Sequence, residues 1–332
     1  MVHINGIGSI SVQNQERLTV PDISETHHIR CQDPDFSAFI PPMIARRMSK
    51  IIKRAIVSSK LALTDAGLDM PDAIISGTGL GCIEDTEKFL TAMIQNNETL
   101  LQPTHFIQST HNTISSQIAM QLKCYGYNNT YSHLGISFES ALLDAFLQLK
   151  TNACKNVLVG GYDEMTSNYY LMLSKLGFWN HCFSGEGCTS LILANQQTEN
   201  TYCKIEAVHL FYAPKSNSDI QNEIDLILKN TNLEINDIDL VITGKNGNSD
   251  NDLIYNSIYT DGLHLPQLTY KQFSGEYFTA SAFGIALAAK ILKTQTIHEP
   301  LINRNDKVAI RSILFHQHFH NQAHALILLS SC

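Results

Sequence analysis

The run from Phe278 to Lys293 constrains this chain more than any other stretch. It carries Ala280, Ala282, Gly284, Ala286, Ala288 and Ala289 among larger apolar residues, with no charge before Lys290. A surface helix shows an apolar stripe on one side and polar residues on the other. A helix apolar all round must be covered on several sides, and small residues are what let neighbouring backbone approach. The fold therefore has to wrap other elements around this segment.

The remaining sequence supplies them. Short apolar runs predict strands at His3–Ile10, Ala73–Ser76, Asn129–His133 and Asn156–Gly160. Further strands are predicted at Thr189–Asn195, Lys204–Phe211, Leu240–Thr243, Gln267–Tyr270, Val308–Phe315 and His324–Leu329. Helical periods fall at Ile44–Ala66, with Gly67 as its stop, and at Ser140–Lys150, Asp219–Asn230 and Asp250–Tyr259. The alternation predicts an α/β protein. Two halves of similar order, 1–165 and 166–332, suggest an internal duplication within one compact unit.

With 332 residues, 44% of them apolar and 16% charged, the chain can bury a substantial core. A net charge of −8 argues against general nucleic-acid binding, which needs clustered cations. Arg46, Arg47, Lys50, Lys53 and Arg54 form one basic helix stretch, read as a solvated face that could also meet an acidic partner. Eight scattered cysteines without a CxxC pair read as reduced thiols, which points to the cytoplasm. No leader-like N-terminus and no apolar run near the ~20 residues of a membrane span are expected. Gly77, Gly79 and Gly81 lack the spacing of a dinucleotide fingerprint, so no cofactor is expected. His316, His318 and His320 alternate onto one strand face, a partial metal pattern; packing histidines are the preferred reading, and no metal is expected.

Several short motifs then fall in a telling order. They are Asn5-Gly6-Ile7-Gly8, Arg46-Arg47-Met48 through Asp65-Ala66-Gly67, Gly77-Thr78-Gly79-Leu80-Gly81, Gly160-Gly161-Tyr162-Asp163-Glu164 and Gly185-Glu186-Gly187. In this order the chain resembles the β-ketoacyl synthase family over essentially its whole length. Thr110-His111-Asn112-Thr113 and Ser137 through Ala145 are similar to a short divergent branch encoded with aryl polyene and flexirubin-type pigment genes. The resemblance implies a thiolase-like fold, two duplicated β-α-β-α-β halves forming an α-β-α-β-α layered sandwich.

The family's decarboxylative condensation needs a thiolate at a helix N-terminus and two imidazoles to stabilise an enolate. The motif frames place these groups at Gly135, Gly244 and Glu276, so all three are absent, while the family lysine is retained as Lys271. An ionised carboxylate accepts hydrogen bonds only and cannot replace a donating imidazole. The resemblance thus implies a chain-length-factor-like subunit, catalytically silent and paired with an active ketosynthase. It would pair with that ketosynthase along a dimer strand at Thr130, Tyr131, Ser132 and His133, and meet an acyl carrier protein through the complex. Phe138, Phe273 and Phe319 lie beside the motifs and are candidate pocket plugs.

Alternatives remain open. Gly135-Ile136-Ser137 partly mimics a nucleophile elbow, so Ser137 could serve a self-sufficient acyltransferase or thioester hydrolase, although Glu139 stands where that motif has glycine. An unaligned cysteine could play the same part. His133 and His111 could rebuild an acid–base pair near Gly135. A homodimeric acyl-chain-binding protein is a third reading.

Overall fold

The computed structural model describes residues 1–13, 18–23, 27–99, 101–297 and 309–332. The first half runs β1 (Val2–Ile10), α1 (Pro42–Ala45), α2 (Lys50–Ala66), β2 (Ala73–Gly77), α3 (Ile83–Gln95), α4 (Pro103–Gln108) and α5 (Thr113–Leu122). It continues through β3 (Tyr127–Tyr131), α6 (Ser137–Lys150), β4 (Asn156–Asp163), α7 (Ser167–Lys175) and β5 (Gly187–Ala194). The second half runs β6 (Cys203–Tyr212), α8 (Asn217–Thr231), β7 (Leu240–Thr243), α9 (Ser249–Tyr255), β8 (Gln267–Thr269), α10 (Lys271–Ser274), α11 (Ala280–Thr294), β9 (Ser312–Phe319) and β10 (Ala323–Ser330).

The strand order is β3-β2-β4-β5-β1-β6-β10-β9-β7-β8. Read outward from the middle, each half has the same design. β2 pairs in parallel with β3 and β4, and β4 and β1 flank β5 antiparallel. In the second half, β7 pairs in parallel with β8 and β9, and β9 and β6 flank β10 antiparallel. The first run of this repeat extends through β5 to Ala194, and the second begins with β6 at Cys203. The two runs join through a short β1–β6 contact, Val2 to Ile205, His3 to Lys204 and Ile4 to Cys203.

Three apolar clusters show how the layers stack. One holds α2 and α5 on the outer face of the first-half strands through Ile52, Ile56, Ile114 and Ile118. Another holds α8 and Tyr255, Ile258 and Tyr259 on the outer face of the second-half strands. Between them, α6 and α11 share a core with strands of both halves. Every residue of α11 from Ala280 to Ala289 is buried, as its all-round apolar sequence requires. The thiolase-like architecture expected from sequence is present.

Boundaries differ where local signals were weak. The helix expected over Ile44–Ala66 is two helices, because Ser49 takes an extended conformation before Lys50. Arg54 does not join a solvated face; it is buried and ion-paired with Glu186 and Asp33. β3 ends at Tyr131, so Ser132 and His133 lie in the turn leading to α6 rather than on the strand. The last strand pair is displaced too: β9 spans Ser312–Phe319, and Val308 lies outside the described residues. Helices α3, α4 and α5 have no counterpart in the sequence reading; α3 buries only Asp85, so its apolar residues mark no inward stripe.

Gly8 on β1 shows how tightly the outer layer sits. A Cβ there would lie 2.0 Å from the Ser58 carbonyl oxygen and 2.6 Å from the Ala62 nitrogen, both backbone atoms of α2. Gly8→Ala is expected to cost about 3 kcal/mol, since helix backbone cannot yield as a flexible side chain would. A reduced urea midpoint checks this.

Candidate functional site

Gly135 stands at the head of α6. The chain leaves β3, Leu134 adopts a left-handed conformation at φ +50°, and one 3-10 turn delivers Ser137 to the helix. A side chain here would face the positive end of a helix dipole, the environment that favours a thiolate. Gly135 has none, and its space is taken. A Cβ at this position would lie 2.3 Å from Cδ2 and 2.8 Å from Cγ of Phe319. Phe319 ends β9, and its ring meets Phe278 edge-on with centroids 6.0 Å apart.

Gly244 follows β7. A Cβ there would lie 2.0 Å from Gln317 Oε1 and 2.8 Å from the Tyr255 hydroxyl. Gln317 is buried; its Oε1 accepts from Tyr270 OH at 2.7 Å and its Nε2 donates to the His318 carbonyl at 3.0 Å. An amide and a phenol therefore take up the space a side chain at position 244 would need.

Glu276 follows α10 and closes the group. Lys271 Nζ donates to both of its carboxylate oxygens at 2.9 Å, and Asn246 Nδ2 donates to Oε2 at 2.8 Å. The Lys271 side chain is only 5% exposed. A buried ammonium without a counter-charge is costly, so the carboxylate balances Lys271. The end of β9 bridges Gly135 and Gly244 through Phe319 and Gln317, and Asn246 joins the loop after β7 to Glu276. The three positions thus converge.

The other sequence-selected residues fall elsewhere. Ser137 is buried; its hydroxyl accepts from the His133 backbone nitrogen at 2.8 Å and donates to the Leu134 carbonyl at 2.7 Å. It caps the turn. His133 Nδ1 instead pairs with Ser140 Oγ at 2.9 Å, and His111 lies against Gly81. Phe138 and Phe273 are fully buried in the central core.

Sequence reasoning missed Gln317, Tyr255, Tyr270 and Asn246, and read Glu139 only as the residue that departs from the elbow motif. Glu139 is buried on α6, and among the described residues neither carboxylate oxygen meets hydrogen-bond geometry. Burial pushes its carboxyl up to about 7, opposed by the Ser281 hydroxyl and the Lys271 charge. A glutamate inside the apolar run of α6 was the available signal.

Beneath Phe319 lies a histidine cluster. His316 and His318 share one face of β9, but His320 sits past the strand in a left-handed turn at φ +51° and is exposed. The third ring is His324 of β10, with centroids 5.4 Å from His316 and 5.3 Å from His318. Among the described residues no group of histidine, cysteine and carboxylate side chains has metal-holding geometry. Burial drives His316 well below its ordinary range, His318 to about 3 and His324 to about 4, with the neighbouring imidazoles adding to the shift of His316 and His318.

The layered, duplicated strand order and the site at the head of α6 define a thiolase-like protein. A family described as β-ketoacyl synthase, N-terminal domain, matches residues 22–217, well over half of the sequence, and the chain belongs to the β-ketoacyl synthase family. Among solved structures it is similar to the ishigamide ketosynthase/chain length factor, at 16% identity and a TM-score of 0.79, covering 100% of this chain and 99% of that one. It is also similar to a β-ketoacyl synthase from Burkholderia phymatum STM815, at 15% identity and a TM-score of 0.79, with 100% and 99% covered. A third likeness, at 13% identity and a TM-score of 0.79 over 100% and 99% of the two chains, is to a type II PKS acyl-carrier protein in complex with its ketosynthase bound to the hexaketide. At these identities the structures establish the fold alone. No curated protein sequence gives a significant match.

Two outcomes follow from this geometry. Gly135→Cys alone should destabilise the protein by about 2 kcal/mol through overlap with Phe319. Combined with Phe319→Ala, the two costs should fall short of their sum by at least ~1 kcal/mol, measured as a double-mutant cycle in urea.

The histidines set a pH dependence. Their folded values lie below the unfolded value near ~6.5, so the unfolded chain binds more protons in that window. Their contribution is fully present above about 6.5 and is lost as pH falls through about 4 and 3 for His324 and His318. Glu139 and Glu164, raised to about 7 and 8 by burial, act in the opposite sense. His318→Gln should therefore flatten the fall in stability between pH 6.5 and 4.5, read by urea unfolding across that range.

Proposed function

We propose that this chain is a catalytically silent ketosynthase subunit of the chain-length-factor type. It would pair with an active 3-oxoacyl-carrier-protein synthase in polyene, polyketide or fatty-acid-type chain elongation. The observation that carries the reading is the occupation of all three catalytic positions. Phe319 fills the nucleophile's space at Gly135, Gln317 and Tyr255 fill the first imidazole's space at Gly244, and Glu276 is engaged with Lys271. A vacated site left empty would suggest recent loss; one refilled by packed and hydrogen-bonded groups suits a scaffold retained for another purpose.

An exposed strand edge supports a partner role. Among the described residues β3 pairs only with β2 and ends the strand order on that side. Tyr125 is 93% exposed, and Tyr127, Leu134 and Leu147 also present apolar surface nearby in sequence. Tyr127 and Tyr131 both donate to Asp144 Oδ2, at 3.0 and 3.2 Å, which orders the ribbon for pairing. An open edge invites a second strand. The dimer surface in this reading comprises Thr130 and Tyr131 on β3, with Ser132 and His133 in the following turn. Arg46, Arg47 and Lys50 remain exposed as the acidic carrier protein's approach to the complex. No described helix is long and apolar enough to cross a membrane, and we place the complex in the cytoplasm.

An independent transferase or hydrolase built on Ser137 is disfavoured by that hydroxyl's burial and its two local hydrogen bonds. Co-expression with a ketosynthase of the same genome that carries the cysteine and both histidines tests the proposal. A 1:1 heterodimer is expected on size exclusion, with malonyl-carrier-protein condensation that survives Ser137→Ala and vanishes on loss of the partner's cysteine. Tyr131→Lys on the strand edge should weaken association at least tenfold. Acyl transfer by this chain alone, without association, overturns the reading.

A further inference from the structure

We infer that His318, His324 and Asn321 form a latch that fixes the β9–β10 turn so that Phe319 is held over Gly135. The inference goes beyond the partner role proposed above and does not depend on it.

The turn is tight. Gln322 N donates to the Phe319 carbonyl at 3.0 Å, and its two central residues, His320 and Asn321, are both left-handed at φ +51° and +53°. That conformation is unfavourable for a residue with a side chain, although asparagine tolerates it better than most. Asn321 is held there from two sides. Its backbone nitrogen donates to His318 Nδ1 at 3.3 Å, and its side-chain Oδ1 meets His324 Nε2 at 3.0 Å.

The hydrogen-bond partners dictate the tautomers. His318 Nδ1 faces a backbone N–H and must accept, so Nε2 carries the proton and donates to the Asn251 carbonyl at 3.1 Å, tying the turn to α9. With Asn321 Oδ1 as acceptor, His324 Nε2 donates and Nδ1 accepts. His316 Nε2 then donates to His324 Nδ1 at 3.1 Å, and His316 Nδ1 accepts from Tyr259 OH at 2.9 Å. A directed chain thus runs from Tyr259 through His316 and His324 to Asn321, with every ring neutral and protonated at Nε2. Phe211 stacks on His324, with centroids 4.9 Å apart, and Tyr255 stacks on His318 at 4.6 Å. The rings cannot easily turn, so the turn they grip cannot either. Phe319, immediately before its left-handed pair, inherits a fixed direction.

The test combines amide exchange with imidazole nitrogen spectra. In the wild-type chain, His316, His318 and His324 should give the neutral Nε2–H signature at pH 7. Peptides covering 134–136 and 319–322 should both exchange slowly. Asn321→Gly keeps a residue at ease in the left-handed region and removes only the side-chain grip. It should speed exchange at least tenfold in both peptides and change the His324 signature, while peptides from β1 and β2 stay as in wild type. Asn321→Asp, which keeps an acceptor for His324, should restore slow exchange. Phe319→Ala should deprotect 134–136 and leave the histidine signatures unchanged. Faster exchange at 319–322 with 134–136 unmoved, or Asn321→Gly indistinguishable from wild type, overturns the latch.

Discussion

Two helices, α6 and α11, lie between the strands of the two halves, and the width of that layer governs the rest of the molecule. Strands on both sides must close on the helices without leaving voids, so the contact positions are small. A Cβ at Gly284 would come within 2.7 Å of Phe315 and 2.9 Å of Tyr270, and one at Gly161 within 2.8 Å of the Ala282 methyl. Dense packing of this kind transmits displacement rather than absorbing it. It also fixes where the helices begin. The head of α6 at Gly135 and the approach to α11 at Glu276 belong to one region because the layer between the strands admits only this arrangement.

Three kinds of contact fill the region they define. At Gly135, Phe319 and Phe278 supply apolar packing. Around Gly244, Gln317, Tyr270 and Tyr255 form hydrogen bonds with one another or with nearby backbone. Charge was balanced at Lys271 by Glu276. The polar and charged contacts obey the rule that a buried donor or ion must keep a partner, since leaving one unmatched costs more than the bond itself contributes. Glu139 departs from it; its burial without a hydrogen bond of good geometry is balanced by a shift toward the neutral carboxyl.

The histidines follow the same rule. Charged imidazoles have no place in a dry cluster with no carboxylate among their hydrogen-bond partners, so all three rings are kept neutral and serve as hinge pins. Their order along β9 and β10 places a donor opposite an acceptor at each step. Left-handed backbone in the intervening turn is then a stable feature rather than a liability.

Much of this was legible in the sequence. The apolar period of α11, the strand at Leu240–Thr243 and the glycine motifs are local properties, each readable within a few neighbouring residues. The duplication was visible only as similar element order, because strand order is conserved where side chains are not. What packs against these positions could not be read, since Gly135 meets Phe319 and Gly244 meets Gln317 across long stretches of chain. Arg54 looked like one more surface cation until Glu186 and Asp33 were brought to it. The alternation of His316, His318 and His320 suggested one face, but a turn of two left-handed residues removes His320 and substitutes His324 from the next strand. Sequence by itself determined the layers; the tertiary structure alone decided what surrounds Gly135, Gly244 and Glu276, because space and unpaired polarity are properties of residues that meet only after folding.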